Sequence, residues 1–177
     1  EMVSLAAVAL AAMGSLAAAL RYFMIALLGS LAYLLGVALI VARYDTVDVT
    51  LLAQLAEPDL ATLMALGLMT AGLLIKAALF PMHGWLPPAH AAAPAPASAL
   101  LSAIAVKLGF VILLRLWFEA FPAITVPAAL HVLGGLGAAA VIYGSVQAMR
   151  QDRLKPLVAY STVAQVGYLF LPFAWIL

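Results

Sequence analysis

Two lysines, Lys76 and Lys107, stand alone inside long apolar runs, and the proline-rich segment FPMHGWLPPAHAAAPAP lies between them. A charged group in hydrocarbon is costly and persists only with a partner or a job. Taking an amine out of water disfavours its charged form, so such residues suit reversible proton carriage. Two of them flanking a helix breaker point to a path for charge across a membrane.

Lys76 lies about 24 Å along a helix from Leu60, well inside a hydrocarbon core of about 30 Å. Pro81 follows five residues later and frees carbonyls that could receive the ammonium. A structural lysine satisfied by those carbonyls is the alternative. Lys107 lies about 16 Å along its own helix from Pro96. Ser98 and Ser102 precede it by nine and five residues, so they could line a wet face only loosely. Its alternative is a lysine reaching toward Glu119 or the interface. Glu1 is the third candidate, because apolar sequence follows it at once. A carboxylate near a lysine favours the charged form of both and couples their titrations.

His83 and His90 fall in the break region and His131 in a later span; all three are candidate relay members, since imidazole titrates near neutral pH. Packing roles, with the rings bonded to backbone carbonyls, explain the first two equally well. His131 opens a glycine-rich helix whose small residues suit close helix contact. Cysteine is absent and no HExxH spacing occurs, so neither a metal site nor a cofactor site is expected. In DRLKPLVAYSTVAQVGY, residues Tyr160, Ser161, Thr162 and Gln165 could bond across helices, while Arg153 and Lys155 meet headgroups.

The elements that position these residues must be membrane helices. Of the 177 residues, 68% are hydrophobic and 8% charged, against about 25% charged in ordinary soluble domains. Such a chain cannot cover a water-facing surface. The net charge of +1 gives no argument for nucleic acid. EMVSLAAVAL has no basic leader, and both ends run into apolar sequence, as in a piece of a longer polytopic chain.

A span needs about 20 apolar residues. The pattern predicts an all-α helix bundle in one transmembrane domain, with spans at residues 1–14, 16–42, 60–80, 96–117, 127–149 and 157–177. A break at Pro81 and a loop at 81–93 follow the third. If the spans alternate, one side collects Arg21, Arg150, Arg153 and Lys155, and the other Arg43 and Arg115 with most of the acids. The first side is then cytoplasmic.

These motifs resemble the antiporter-like membrane subunits shared by respiratory complex I, Mrp-type cation/proton antiporters and membrane-bound hydrogenases. The resemblance runs through Lys76-Ala-Ala-Leu-Phe-Pro-Met-His-Gly-Trp-Leu-Pro, Ala89-His90, Pro94-Ala-Pro96, Ser98-Ala-Leu-Leu, Lys107-Leu-Gly and Arg115. It continues through Asp152-Arg-Leu-Lys155, Ala159-Tyr-Ser-Thr162 and Gln165-Val-Gly167-Tyr168. Pro88 stands where the family usually has an acid.

The resemblance implies about fourteen transmembrane helices in two inverted repeats, of which this chain holds the fifth to the tenth, the seventh being discontinuous near Pro81. It implies that Glu1, Lys76 and Lys107 carry H⁺, with Na⁺ as an alternative cargo. It also implies a multi-pass protein of the cell inner membrane, with other membrane subunits of a multisubunit complex as partners. One such complex is a redox-driven pump of the NADH:quinone oxidoreductase type, although this chain holds no redox cofactor motif. The second repeat's lysine or glutamate, on the twelfth helix, is not in this chain. Two other readings remain: a polytopic membrane enzyme using His83 and His90, and a purely structural anchor in which both lysines could be apolar.

Overall fold

The computed structural model describes residues 15–124 and 126–175, so the expected first span and Glu1 lie outside the described residues. Ser15 caps the first described helix, α1 (Leu16–Tyr44), by accepting the Ala18 N–H at 3.3 Å. The helix ends where Asp45 turns left-handed at φ 53°, a conformation that a short polar side chain tolerates. Two further acids start the next helices. Asp48 caps α2 (Val49–Leu55) and Asp59 caps α3 (Leu60–Lys76), each accepting backbone N–H groups of the first turn. Arg43, in the last turn of α1, bonds Asp59 at 2.8 Å and ties the end of α1 to the start of α3.

Helix α3 has 17 residues, about 26 Å of rise, and stops short of a full crossing with Lys76 as its last residue. Residues 77–81 are unwound, with Ala78 at φ 50° and a cis Phe80–Pro81 peptide. A tight turn at Met82–Trp85 then leads into a short helix, α4 (Leu86–Ala92). The loop expected over 81–93 is therefore largely helical. Pro87 and Pro88 occupy the first turn of α4, where a backbone N–H has no intrahelical acceptor to lose. An acid would suit the same turn through the helix dipole, so Pro88 is a compatible replacement there. Together α3 and α4 form a broken helix.

Helix α5 (Ala95–Ala120) runs unbroken for 26 residues but widens into single π turns at Leu101–Ala105 and Leu116–Ala120. Helices α6 (Pro127–Met149) and α7 (Leu154–Phe170) follow, the latter extended by a 3₁₀ turn at Leu171–Ala174. Pro156 lies inside the first turn of α7, so that span begins at Leu154 rather than after the proline.

Among the described residues, four helices are long and apolar enough to cross a bilayer, and all regular structure is helical. The chain is an all-α, multi-pass membrane protein. Leu27, Leu28, Leu31, Leu34 and Leu35 on α1 are among many exposed apolar side chains, a surface suited to hydrocarbon. Helices α1 and α3 pack antiparallel along Gly29, Gly36 and Gly72; a methyl group on Gly36 would lie 2.7 Å from the Ala65 carbonyl. Helices α6 and α7 pair likewise through Gly137, Gly144 and Gly167. Helix α4 seats against α7 and α1, and α5 lies against α3.

Candidate functional site

Lys76 is half-buried at the point where α3 unwinds. Ending a helix strands its last carbonyls, and here three of them already receive donors. Ala77 N–H reaches Leu73 O at 2.8 Å, Leu79 N–H reaches Leu74 O at 3.2 Å, and Ala78 N–H reaches Ile75 O at 3.2 Å. The Trp85 indole N–H adds a bond of 3.0 Å to Ile75 O, clamping the turn after the break onto the helix before it. Trp85 in turn stacks on Tyr22 of α1, with ring centroids 4.6 Å apart.

These residues enclose a small cavity. Tyr22, Ala26, Ile75, Lys76, Trp85 and Ala105 line a space of about 30 Å³, above the roughly 10–15 Å³ that a water needs. The lysine thus borders a water-sized space at mid-chain, beside a break in the backbone.

Lys107 is half-buried on α5, two residues beyond Ala105 of that cavity wall. Helix α5 crosses the end of α3 at Gly109, where a methyl group would lie 3.0 Å from Ala77 N and 3.2 Å from Leu73 O. A Cβ there would press on the backbone of α3 and push the two helices a few tenths of an ångström apart. The two lysines therefore sit on helices in direct contact, each within two residues of the crossing. Higher on the same interface, the Trp117 indole donates to Thr70 Oγ1 at 3.0 Å.

The π turn changes which residues share a face with Lys107. Val106 N–H donates to Leu101 O, five residues back instead of four. A ring closed at five residues turns residues five apart toward a common face, which brings Ser102 nearer the side of the helix that carries Lys107.

His90 is fully buried, its Nδ1 2.5 Å from Ser98 Oγ, while its Nε2 has no partner among the described residues. His83, also buried, stacks on Phe80 and meets Tyr143 of α6 edge-on at 4.8 Å. His131 is exposed near the start of α6, about 18 Å along that helix from Tyr143. The structure gathers Lys76 and Lys107 at one crossing and sets His83 and His90 in the broken segment, but keeps His131 apart. Glu1 lies outside the described residues.

Several contributors were not singled out from the sequence. Tyr22 and Tyr143 are aromatic residues in apolar helices and Trp85 lies in the turn after the break, and nothing in their spacing marks them. Lys155, expected among headgroups, donates to Ala93 O at 2.9 Å and closes the end of α4. Of the polar run on α7, Thr162 does bond across helices, to Ser102 at 2.8 Å, whereas Gln165 is exposed.

Comparison with known proteins agrees with this architecture. Subunit N of the NADH-quinone oxidoreductase of Desulforudis audaxviator is 42% identical over 181 residues, covering 98% of this chain and 36% of that protein. The structure of an archaeal membrane-bound sulfane sulfur reductase superposes with a TM-score of 0.88 at 31% identity, over 97% of this chain and 36% of that one. The Mrp complex of Dietzia sp. DQ12-45-1b gives 0.83 at 28% identity, over 95% and 33%. The chain spans about a third of the length of the proteins it matches. Its sequence fits the model of the family described as "NADH:quinone oxidoreductase/Mrp antiporter, TM" across residues 1–175, and with the broken helix and its lysine in place, the chain belongs to that family.

Proposed function

We propose that the chain is part of a proton-translocating, antiporter-like subunit of a multisubunit membrane complex, with Lys76 as the central carrier and Lys107 as its neighbour. The observation that carries this reading is Lys76 itself: a half-buried amine at a helix break, bordering a water-sized cavity, on a helix that touches the one bearing Lys107. An ammonium there exchanges a proton with water in the cavity and is held at fixed depth by the clamped backbone. Glu1, if brought beside Lys76, favours the charged amine; moving the carboxylate away releases the proton toward Lys107. His83 and His90, buried in the broken segment, serve as relays to one side of the membrane. By the positive-inside rule that side is cytoplasmic, in a cell inner membrane.

H⁺ is the cargo this chemistry suits best, and the driving event arises elsewhere in the complex. Lys76→Ala in the full-length protein, within its own complex, should abolish proton pumping or cation/proton exchange while leaving assembly intact. Transport at the wild-type rate in that variant overturns the reading in favour of a structural anchor.

A further inference from the structure

Resting on the conduction reading above, we propose that the hydroxyls of Ser102 and Thr162 are the step by which a proton leaves the Lys107 helix for α7. Ser102 Oγ and Thr162 Oγ1 are 2.8 Å apart, and Thr162 is only 2% exposed. The direction of this bond follows from counting protons. Thr162 Oγ1 donates to Val158 O at 2.9 Å, and a hydroxyl has one hydrogen. Ser102 must therefore be the donor to Thr162, which leaves the Ser102 lone pairs facing away from α7 as acceptors.

The π turn supplies the matching donor. On a regular helix, five residues advance by about 500°, which sets Lys107 and Ser102 on different faces. Closing the backbone ring at five residues removes most of that offset and turns them toward a common face. A helical side chain also leans toward its own N-terminus, so Lys107 projects back over the turn that carries Ser102. One turn earlier, Ser98 extends the same polar line to His90.

The transfer balances as a concerted hop. An N–H bond of the Lys107 ammonium breaks as an O–H bond forms on Ser102. The original Ser102 hydrogen passes to Thr162 Oγ1. The original Thr162 hydrogen swings away from the Val158 carbonyl to a basic acceptor beyond α7, a water or a neutral lysine or carboxylate. Lys107 is left neutral, neither hydroxyl retains charge, and rotation of the two hydroxyls resets the pair. No electrons move.

The test uses the full-length protein in its assembled complex, reconstituted in proteoliposomes with a pH-sensitive dye inside. Ser102→Ala and Thr162→Val should each slow proton transport by about a hundredfold or more, the low end for loss of a positioned proton-transfer group. The double variant should be no slower than the worse single one. Ser102→Thr and Thr162→Ser, which keep the hydroxyls, should restore transport. Wild-type rates in Ser102→Ala or Thr162→Val overturn the proposal. So does an equal loss in the hydroxyl-keeping variants with the complex assembled, since that marks packing alone. If Thr162→Val fails to assemble, Ser102→Ala, which removes one half-buried oxygen, decides. Loss in Lys76→Ala with normal transport in the hydroxyl variants sinks this step only; normal transport in Lys76→Ala sinks the conduction reading itself.

Discussion

The indole of Trp85 donates to the carbonyl of Ile75 at 3.0 Å, bridging the two halves of the broken helix. The bond spans residues 77–81, where the chain leaves its helix, and Trp85 is almost fully buried. A broken helix in a bilayer needs such internal donors, because no water is at hand to replace them.

Removing the donor while keeping the ring tests that role. Trp85→Phe should lower stability by about 0.5–1.5 kcal/mol, the net worth of one hydrogen bond. Trp85→Ala should lower it by about 3–5 kcal/mol, because it also empties the space against Tyr22. Thermal unfolding in detergent compares the two. Equal effects would mean that the ring matters and the N–H does not.

The described glycines divide into those that permit a close approach and those that touch nothing. At Gly109 a methyl group meets Ala77 N at 3.0 Å, while at Gly67 and Gly135 nothing lies within 4 Å. Gly109→Val should therefore force α5 away from the end of α3, destabilise the protein by about 1–3 kcal/mol and slow transport by separating the two lysines. Gly67→Ala and Gly135→Ala should change stability by no more than about 1 kcal/mol, in the stabilising direction. Melting and transport measured on the same preparations distinguish the two groups.

Asp59 connects the start of α3 to the end of α1. The Thr62 hydroxyl and the Arg43 guanidinium, with the Thr62 N–H, hold its carboxyl at about 2, below the ordinary 3.8. A carboxylate depressed in the folded state contributes stability above its unfolded pKa and loses it as pH falls through the folded one. Stability should accordingly be insensitive to Asp59 above about pH 5 and fall between the ordinary value and about 2. Asp59→Asn should remove the part of that acid dependence due to this group. Unfolding midpoints measured from pH 5 to pH 2 check the sign; a group-specific loss that grows above pH 5 would contradict it.

The candidate carriers could be read in the chain because they violate its composition. Lys76 and Lys107 are conspicuous in apolar runs, and Pro81 marks the break without reference to anything distant. The segment after Pro81 was harder to read. Its prolines suggest a loop, yet Pro87 and Pro88 fall in the first turn of α4, where a missing N–H breaks no helical bond. The proposed transfer from Lys107 to Ser102 was hidden for another reason. Spacing of five implies different faces on a regular helix, and the LSAIA sequence carries no local sign that its backbone closes at five residues. Lys155 illustrates a third cause: a basic residue at a helix start ordinarily meets headgroups, and only the folded position of α4 brings the Ala93 carbonyl within its reach.

The sequence alone determined that this protein lies in a membrane, that its elements are helices, and that one of them breaks just beyond a lysine. Those outcomes depend on transfer energies and on proline's missing donor, which act residue by residue. Tertiary structure decided which sides of the helices face one another, and with them the Lys76 cavity, the crossing at Gly109 and the hydroxyl bridge to α7. Helices that are apolar on every side carry no periodic pattern to fix their rotation. That choice is made only when glycines let backbones touch and the few polar groups find partners across the gap.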